Sequence, residues 1–321
     1  MTAGARDHGG GIDAAAARWG GTRSDWLDLS TGINPAPYPV RVTCEDLWTA
    51  LPDRMATERL IAAARNFWKA PAPVTVLPAP GCSALIARIP YLAEPGNVRI
   101  DAPTYNEHRA SFEVAGWTVT RTARARPSAR VIVNPNNPTG TYFDRTDAPW
   151  GKHALIVIDE SFCDVDPMGS LIEIAAVPGV IVLKSFGKFW GLAGLRLGFA
   201  LGDPKMLARL AEMLGPWPVS GPALEIGARA LEDPAWASDT RSRLRQDSMR
   251  LDALMARHSR GPAKGTYLFR LYDVGDAAAM QDRLARARIW SRIFPYSGCW
   301  LRLGLPGSAT GWERLKRALQ A

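Results

Sequence analysis

The stretch Ser185-Phe-Gly-Lys-Phe-Trp-Gly-Leu-Ala-Gly-Leu-Arg196 combines one lysine with glycines, apolar residues and a later arginine. A lysine amine can form an imine with a carbonyl compound, and the Ser185 hydroxyl and the Arg196 guanidinium can hold a phosphate. The alternative is an ordinary surface lysine. However, the apolar neighbours of Lys188 would exclude much of the surrounding water. The glycines lack the G-x-G-x-x-G spacing of a dinucleotide fingerprint. The stretch therefore predicts a reactive lysine beside a phosphate site.

Asp159 follows the apolar run Leu155-Ile-Val-Ile158, so its carboxylate emerges from a predicted buried strand. A carboxylate in such a place costs free energy unless a cation or a proton donor meets it. A protonated pyridine nitrogen is one such partner, and the carboxylate would keep that ring charged and able to accept electrons. A metal ion is the alternative, but His and Cys residues do not cluster around Asp159 in the sequence.

Two further polar stretches follow predicted strands. Val131-Ile-Val-Asn-Pro-Asn-Asn-Pro-Thr-Gly140 places Asn137 in a loop, and although its residues are ordinary turn formers, so many in succession indicate a binding loop. Pro80-Gly-Cys-Ser-Ala-Leu85 predicts a strand-to-helix turn whose backbone N–H groups can bind phosphate. It is not the Gly-x-Ser-x-Gly turn of a hydrolase, because position 85 is Leu.

Short apolar strands alternate with helical patterns through the middle of the chain, which is typical of a mostly parallel sheet buried on both faces. The predicted strands are Val74–Leu77, Val98–Ile100, Trp117–Thr120, Val131–Val133, Leu155–Ile158, Val180–Leu183 and Leu197–Leu201, and the helices between them include Ala56–Ala70, Ser83–Leu92 and Pro204–Leu214. The polar stretches lie at or just after the carboxyl ends of strands. Open α/β sheets bind ligands at that edge, so we expect these stretches to form one site.

The carboxyl-terminal part of the chain has the pattern of a small α+β domain. The predicted elements are a long Arg-rich helix over Pro234–His258, a strand at Thr266–Leu271, a helix at Ala277–Arg288, strands at Ser291–Phe294 and Trp300–Leu303, and a closing helix from about Thr310. Prolines and glycines between Gly215 and Pro222 mark a boundary. We therefore predict an amino-terminal arm over 1–39 that joins the small domain, a large α/β domain over 40–220 and the small domain over 221–321.

Composition excludes several other classes of protein. The chain has 321 residues, and its hydrophobic content of 47% favours a folded protein. Its formal net charge of +8 is typical of a solvated, arginine-rich surface, and the alternative is that some of this charge attracts a small anionic substrate. Because the arginines are scattered without interleaved aromatics, we expect no nucleic acid partner. The four cysteines form no CxxC pair, which argues against disulfides and metal binding; they are Cys44, Cys82, Cys163 and Cys299. Without a signal-like start or a long apolar run, we expect a cytoplasmic protein with no membrane partner.

Together these motifs resemble the class I/II pyridoxal-phosphate (PLP) aminotransferase superfamily over nearly the whole chain, through the spacing from Asn137 to Arg196. The resemblance implies the aspartate-aminotransferase-like fold, fold type I, and a homodimer with the active site at its interface. It implies a Schiff base between PLP and Lys188, a bond from Asp159 to the pyridine nitrogen and a bond from Asn137 to the ring oxygen. Tyr105 would stack on the ring, and His108 would support Asp159. The residues that it implies for the phosphate site are Cys82, Ser83, Ser185 and Arg196.

Within the superfamily, the start of the chain resembles the L-threonine-O-3-phosphate decarboxylases of the aerobic branch of cobalamin biosynthesis. The residues that carry this resemblance are His8-Gly-Gly-Gly11 and Trp26-Leu-Asp-Leu-Ser-Thr-Gly-Ile-Asn-Pro35. It implies that Arg302 binds the substrate carboxylate and that Arg292 binds the substrate phosphate. The other residues that it places at the substrate are His8, Gly9, Gly32 and Asn137.

Three positions depart from the pattern of related families. Phe162 stands where aminotransferases usually have a Tyr that bonds the ring oxygen of PLP. Leu51 stands where many relatives have a Tyr that reaches the PLP phosphate of the neighbouring subunit, so it has no hydroxyl for that contact. Gly32 stands where the anaerobic-branch decarboxylases bind substrate through an Asn, so only its backbone can serve.

The resemblance implies decarboxylation of L-threonine O-3-phosphate to (R)-1-aminopropan-2-ol O-phosphate. The residue types alone also allow transamination of a phosphorylated amino acid such as histidinol phosphate, because the same groups serve both reactions. A non-catalytic PLP-fold binding protein is the third hypothesis. The complete set of Lys188, Asp159, Asn137 and Arg196 argues against it.

Overall fold

A computed structural model describes residues 8–40, 45–121, 127–147, 150–151 and 153–320; Cys44 lies outside these ranges. Contacts within the chain divide it into two compact units. The large unit comprises Pro37–Asn137 and Thr141–Asp239, and the small unit comprises the chain up to Ala36, Pro138–Gly140 and the chain from Thr240 onward. The domain limits predicted from the sequence stay a prediction.

Helices and strands alternate along the described residues. The helices are α1 (Ile12–Trp19), α2 (Asp46–Thr49), α3 (Arg54–Trp68), α4 (Cys82–Ile86), α5 (Asn106–Val114), α6 (Pro204–Leu214), α7 (Gly221–Leu231), α8 (Pro234–Met255), α9 (Ala277–Arg286) and α10 (Ala309–Gln320). The strands are β1 (Leu27–Asp28), β2 (Thr75–Ala79), β3 (Asn97–Ile100), β4 (Thr118–Thr120), β5 (Ala129–Val133), β6 (Leu155–Asp159), β7 (Val180–Ser185), β8 (Gly198–Gly202), β9 (Lys264–Thr266), β10 (Phe269–Asp273), β11 (Ile289–Trp290), β12 (Arg292–Phe294) and β13 (Ser297–Gly304).

The large unit is built around a seven-stranded sheet in the order β2-β8-β7-β6-β5-β3-β4. The strands β4, β3, β5, β6 and β7 pair in parallel, whereas β8 is antiparallel to its neighbours β7 and β2. Every residue of β6 and of β8 is buried, as expected for strands that are covered on both faces. The α/β fold class predicted from the sequence is confirmed.

Two helices of the large unit begin at aspartate side chains. Asp53 accepts a 2.7 Å hydrogen bond from the backbone N–H of Ala56 and so caps α3. Asp203 caps α6 in the same way, and Pro204 at its first position loses no hydrogen bond because that N–H has no intrahelical acceptor. Leu207 on the buried face of α6 packs in the core that surrounds the sheet.

The three central parallel strands end side by side. Val133 of β5 pairs with Asp159 of β6, and Asp159 pairs with Leu183 of β7. The ladder continues one residue further, because the N–H of Asn134 donates to the Asp159 carbonyl at 2.8 Å and the N–H of Glu160 donates to the Leu183 carbonyl at 3.0 Å. The loops that follow these strands therefore start at one edge of the sheet.

The small unit contains an antiparallel sheet in the order β12-β13-β10-β9 and a parallel pairing of β1 with β11. The stretch Thr266–Leu271 is not one strand, as predicted, but parts of two. Thr266 at the end of β9 lies opposite Phe269 at the start of β10. The Thr266 hydroxyl accepts a 3.1 Å hydrogen bond from the N–H of Leu268 and closes the turn between them.

Candidate active site

One cleft in the large unit brings together most of the predicted cofactor residues. Its open volume is about 710 Å³. It lies at the edge where β5, β6 and β7 end, beside the first turn of α4. The predicted residues that line it are Cys82, Ser83, Tyr105, Asn137, Asp159, Ser185, Lys188 and Arg196. The structure thus places them in one cavity, while their individual roles stay predictions.

Asp159 is buried and held by two neighbours. His108 Nε2 lies 2.8 Å from Asp159 Oδ2, and Ser161 donates to Oδ1 from its hydroxyl at 2.6 Å and from its N–H at 3.0 Å. Burial raises the pKa of Asp159, but the hydrogen bond and electrostatic attraction of His108, together with the bonds from Ser161, outweigh burial and leave the pKa below its ordinary value. The carboxylate is therefore ionised and suited to a cationic partner.

Lys188 lies among aromatic rings in the loop between β7 and β8. Its Nζ lies 5.2 Å from the centroid of the Phe162 ring. The flanking residues Phe186, Phe189 and Trp190 are fully buried. The amine therefore contacts an aromatic ring, and its neighbours in the sequence belong to the buried interior. Phe162, in place of a tyrosine, gives the amine a ring face to contact rather than a hydroxyl.

Two glycines make room for an anion beside Arg196. A Cβ at Gly81 would lie 2.6 Å from Arg196 Nη2, and a Cβ at Gly198 would lie 2.6 Å from the backbone nitrogen of Cys82. Arg196 has a left-handed backbone, with φ of 52°, and its Nη1 donates to the Ala193 carbonyl at 3.0 Å. The guanidinium and the first N–H groups of α4, which as at any helix start have no intrahelical acceptor, are thus held close together. Such a donor set suits phosphate.

Tyr105 and Cys82 are neutral members of the cleft. Burial, and next the charge of Asp159, raise the pKa of the Tyr105 hydroxyl to about 12 and the pKa of the Cys82 thiol to about 12. Cys82 Sγ donates to the Lys184 carbonyl at 3.0 Å, so the thiol is used inside the fold. The Tyr105 ring packs edge-on against His108, with ring centroids 6.1 Å apart.

The residues of the cleft fit PLP. Gly81 keeps open a space beside Arg196 that a Cβ would fill, Gly198 lets the first turn of α4 approach β8, and Arg196 carries the charge that a phosphate needs. Asp159 is an ionised carboxylate in a buried place, which matches a protonated ring nitrogen. Lys188 supplies a primary amine in the same cavity, which matches an aldehyde.

The small unit holds the two arginines that were predicted at the substrate. Arg292 on β12 lies directly opposite Arg302 on β13 in the antiparallel pair. Arg302 is buried, lies over the Phe269 ring and donates through Nη2 to the Ser30 carbonyl at 2.7 Å. Burial, and next the positive charge of Arg292, lower the pKa of Arg302 to about 10. The pair concentrates positive charge at one place on the sheet.

The glycine-rich start of the chain packs beside these arginines. Arg292 Nη1 donates to the His8 carbonyl. A Cβ at Gly9 would lie 2.5 Å from the Ser30 carbonyl oxygen, so only glycine fits there. The next N–H, that of Gly10, donates to the Ser30 hydroxyl at 2.7 Å. Gly32, two residues after Ser30, is buried in the same unit.

Two contributors to the cleft were not predicted from the sequence. Ser161 gives Asp159 two hydrogen bonds, and a serine two residues after an aspartate is a known turn pattern that could have signalled it. Gly198 allows α4 to approach β8, and a glycine in an apolar strand is the usual sign of such an approach.

Comparison with known proteins gives the class of this chain. Residues 47–319 match the family Aminotransferase class I and II. The chain belongs to this family and is a PLP-dependent enzyme.

Two curated relatives are similar along nearly their whole length. The chain is 41% identical to the threonine-phosphate decarboxylase of a Sinorhizobium species, over 97% of each chain. It is 40% identical to the threonine-phosphate decarboxylase of Pseudomonas aeruginosa, over 98% of this chain and 97% of the relative. The resemblance stated from the sequence is confirmed.

A solved structure is similar in fold. The histidinol-phosphate aminotransferase of Sinorhizobium meliloti, in complex with PLP, superposes with a TM-score of 0.82 and covers 97% of this chain and 93% of its own. The sequence identity is 18%, so this similarity concerns the fold alone.

None of the described helices is both long and apolar enough to cross a membrane. Among the side chains that the structure describes, no three His, Cys, Asp or Glu residues are grouped so that they could bind a metal ion.

Proposed function

We propose that this chain decarboxylates L-threonine O-3-phosphate to (R)-1-aminopropan-2-ol O-phosphate and CO₂. The observation that carries the proposal is the identity of 40–41% to two threonine-phosphate decarboxylases over nearly the full length of the chain. The identity extends over both units. It therefore includes the segments that hold Arg292 and Arg302 as well as the cofactor cleft.

The large unit would hold the cofactor. Lys188 would bind it covalently through the amine, and Asp159 would keep a proton on the ring nitrogen. Arg196, Ser185 and the first N–H groups of α4 would bind the phosphate. When bound, PLP accepts the electron pair of the bond that breaks at the substrate Cα.

The arginine pair would decide which bond breaks. Arg302 would bind the α-carboxylate and Arg292 the phosphate, each through two hydrogen bonds. A substrate held at both anions cannot rotate about its Cα–N bond. The two arginines would thus present the bond from Cα to the carboxylate for cleavage, and CO₂ would leave. A substrate held so that its Cα–H bond is presented instead would undergo transamination.

The cross-strand position of the two arginines supports a substrate with two anionic groups. Like charges directly opposite each other on neighbouring strands destabilise a sheet. A ligand that brings a carboxylate and a phosphate offsets this repulsion, whereas a ligand with one anionic group offsets less of it. L-Threonine O-3-phosphate has both groups.

Lys188 would complete the reaction as a general acid. After CO₂ has left, its ammonium can donate a proton to Cα. One substrate molecule and one proton then give one molecule of amino-alcohol phosphate and one of CO₂. The Phe162 ring, whose centroid lies 5.2 Å from the amine, would limit the access of water to this proton.

The proposal includes a homodimer in the cytoplasm that serves cobalamin biosynthesis. These statements rest on the family resemblance. The dimer has a direct test, because analytical ultracentrifugation should give twice the chain mass of 34.9 kDa. A monomer at micromolar concentration would contradict it.

The decisive experiment separates decarboxylation from transamination. Purified holoenzyme is incubated with O-phospho-L-threonine, and CO₂ and keto acid are both measured. We expect CO₂ in equal amount to the substrate consumed and no keto acid. The comparison substrate is histidinol phosphate with 2-oxoglutarate. Transamination of that pair, without CO₂ from phosphothreonine, would establish the aminotransferase instead.

A further inference from the structure

Three buried charged residues of the large unit stand apart from the chemistry described so far. Lys184 Nζ lies 2.6 Å from Glu160 Oε2 and 3.5 Å from Asp164 Oδ1. All three side chains are at least 95% buried. None of the three is among the residues that line the cofactor cleft. Lys184 precedes Ser185, which does line it, and side chains alternate across a strand. We refer to Glu160, Asp164 and Lys184 as the buried charge cluster.

Glu160 binds one residue just after β5 and one residue near the end of β7. Its Oε1 accepts a 3.1 Å hydrogen bond from Asn134 Nδ2, and its Oε2 accepts a 2.6 Å bond from Lys184. Asn134 begins the loop that carries Asn137, and Lys184 lies next to Ser185 in the segment that carries Lys188. Glu160 itself follows Asp159. One carboxylate therefore connects the three segments that supply the polar groups of the cleft.

Asp164 holds the Lys188 loop from its other end. Its Oδ2 accepts a 3.1 Å hydrogen bond from Trp190 Nε1. The Trp190 ring also stacks on Phe186, with centroids 5.0 Å apart and planes 10° apart. Lys188 thus lies between Lys184 and Trp190 in the chain, and the side chains of both bind carboxylates of the buried charge cluster.

Stability alone does not explain this arrangement. Burial of an ion cluster removes its hydration, and replacement of such clusters by apolar residues is often neutral or stabilising. Burial lowers the pKa of Lys184, but the charges of Glu160 and Asp164 outweigh burial and leave the pKa above its ordinary value. Lys184 therefore stays charged and does not compete with Lys188 as a nucleophile.

We propose that the buried charge cluster sets the positions of Lys188, Asp159 and Asn137 relative to one another. Lys184, Glu160, Asp164 and Trp190 are positioning residues of the cofactor site. They act through the backbone of the three loops and touch neither cofactor nor substrate. The inference rests on PLP dependence and not on the proposed substrate.

Two indole hydrogen bonds to the same carboxylate provide a matched test. Trp190→Phe removes the bond from the Lys188 loop, and Trp68→Phe removes the 2.9 Å bond from Trp68 Nε1 on α3, which carries no residue of the site. Both variants keep an aromatic ring. Two properties of the holoenzyme are measured: the rate of PLP loss in dialysis, and the pH dependence of its visible absorbance band.

The positioning role predicts different results for the two variants. Trp190→Phe should lose PLP about tenfold faster and titrate its visible band at a different pH, because small misplacements of reacting groups have large effects. Trp68→Phe should retain both properties within about twofold of the wild type. Both variants should lower the urea midpoint of unfolding by similar amounts. Equal changes in both variants, or no change in Trp190→Phe, would overturn the proposal.

A second set of variants keeps the test independent of folding. The triple variant Glu160→Gln, Asp164→Asn and Lys184→Met removes all three charges together, so no unpaired charge stays buried. The triple variant should fold and should lose PLP faster than the wild type. The single variant Lys184→Arg keeps the positive charge and should retain PLP almost as well as the wild type. Wild-type retention and band titration in the triple variant would overturn the proposal.

Turnover is measured last, because it depends on the proposed substrate. With O-phospho-L-threonine, Trp190→Phe should lower kcat about tenfold and leave KM nearly unchanged. If the wild type itself does not act on this substrate, the proposed function fails, while the two cofactor measurements still decide the positioning role.

Discussion

Lys184 in the large unit and Arg302 in the small unit are both buried cations, with 2% and 5% of their surface exposed. Their surroundings are opposite. Lys184 faces the carboxylates of Glu160 and Asp164. Arg302 donates to a backbone carbonyl and has Arg292 as its cross-strand neighbour. The pKa of Lys184 is accordingly raised, while burial and then the charge of Arg292 lower the pKa of Arg302 to about 10.

The difference separates two uses of buried charge. A cation that is neutralised inside the fold holds segments together and has no need of a ligand. A cation beside a second cation gains most when an anion arrives, because the ligand then offsets both burial and repulsion. In the large unit Lys184 thus belongs to the first use, and the proposed substrate role of Arg302 in the small unit belongs to the second.

The largest expected effect tests whether Lys184 has a purely structural role. Lys188→Ala should abolish turnover and covalent attachment of PLP, because Lys184 is held as an ammonium by two carboxylates and cannot replace the lost amine. Borohydride reduction of the wild type, followed by peptide mapping, should place the pyridoxyl group on residue 188.

The same mapping has two outcomes that would break the comparison. Label on Lys184 would show that the buried charge cluster releases its lysine. Label on Lys152, which lies outside the described residues, would show that the reactive lysine is elsewhere. Far-UV circular dichroism of Lys188→Ala serves as the control for folding.

The next effect concerns Asp159, a buried anion that the fold surrounds with hydrogen-bond donors. Asp159→Asn should retain PLP but lose activity by about a hundredfold or more, since a neutral amide cannot keep the ring nitrogen protonated. Steady-state kinetics and the visible spectrum are measured together. Turnover close to that of the wild type would reduce Asp159 to a structural carboxylate.

The cleft could be predicted from the sequence because its signals are local. Asp159 follows an apolar run, and Lys188 lies in a short glycine-rich segment that also contains Ser185 and Arg196. The parallel register then brings strand ends together without further information, as the pairing of Val133 with Asp159 shows. The seven strands predicted for the large unit are all present, because the apolar runs that predict them are also local signals.

Contacts between distant segments could not be predicted in this way. Nothing in the sequence indicates that Glu160 meets Lys184, because the pair depends on which strands are neighbours and which faces they share. Local roles at the start of α7 were also not predicted. Ser220 caps the helix and Pro222 occupies its first turn, where a missing N–H has no cost.

The third effect tests the ligand-binding use of Arg302. Arg302→Ala should lower kcat/KM for phosphothreonine and for the poor substrate threonine alike, by about 2–3 kcal/mol of transition-state binding. Arg292→Ala should impose a similar loss on phosphothreonine and change threonine little. Equal losses on both substrates in Arg292→Ala would show that Arg292 does not bind the phosphate.

The smallest effect is on the free energy of unfolding. Substitution of Arg292 should raise it, whereas substitution of Arg270 in the same sheet should lower it. The folded-state pKa of Arg302 lies below its ordinary value, so its charge opposes folding at neutral pH. This penalty begins to fall as the pH rises through about 10 and is gone only above the ordinary pKa of arginine. Arg292→Gln removes the like charge on the neighbouring strand. It should therefore raise the free energy of unfolding at pH 7 by about 0.5 kcal/mol, even though it weakens the use of phosphothreonine.

Arg270 is the control for this prediction. It binds Asp252 through two hydrogen bonds of 2.9 and 2.8 Å, so its charge is neutralised within the fold, as that of Lys184 is. Arg270→Gln should lower the free energy of unfolding, because it leaves a partly buried carboxylate without its cation. Urea unfolding at pH 7 and at pH 10 measures both variants. The gain in Arg292→Gln should shrink at the higher pH, where Arg302 begins to lose its charge. A loss of stability in Arg292→Gln at pH 7, like that in Arg270→Gln, would mean that repulsion between Arg292 and Arg302 does not destabilise the fold, and the cross-strand argument for a dianionic substrate would fail.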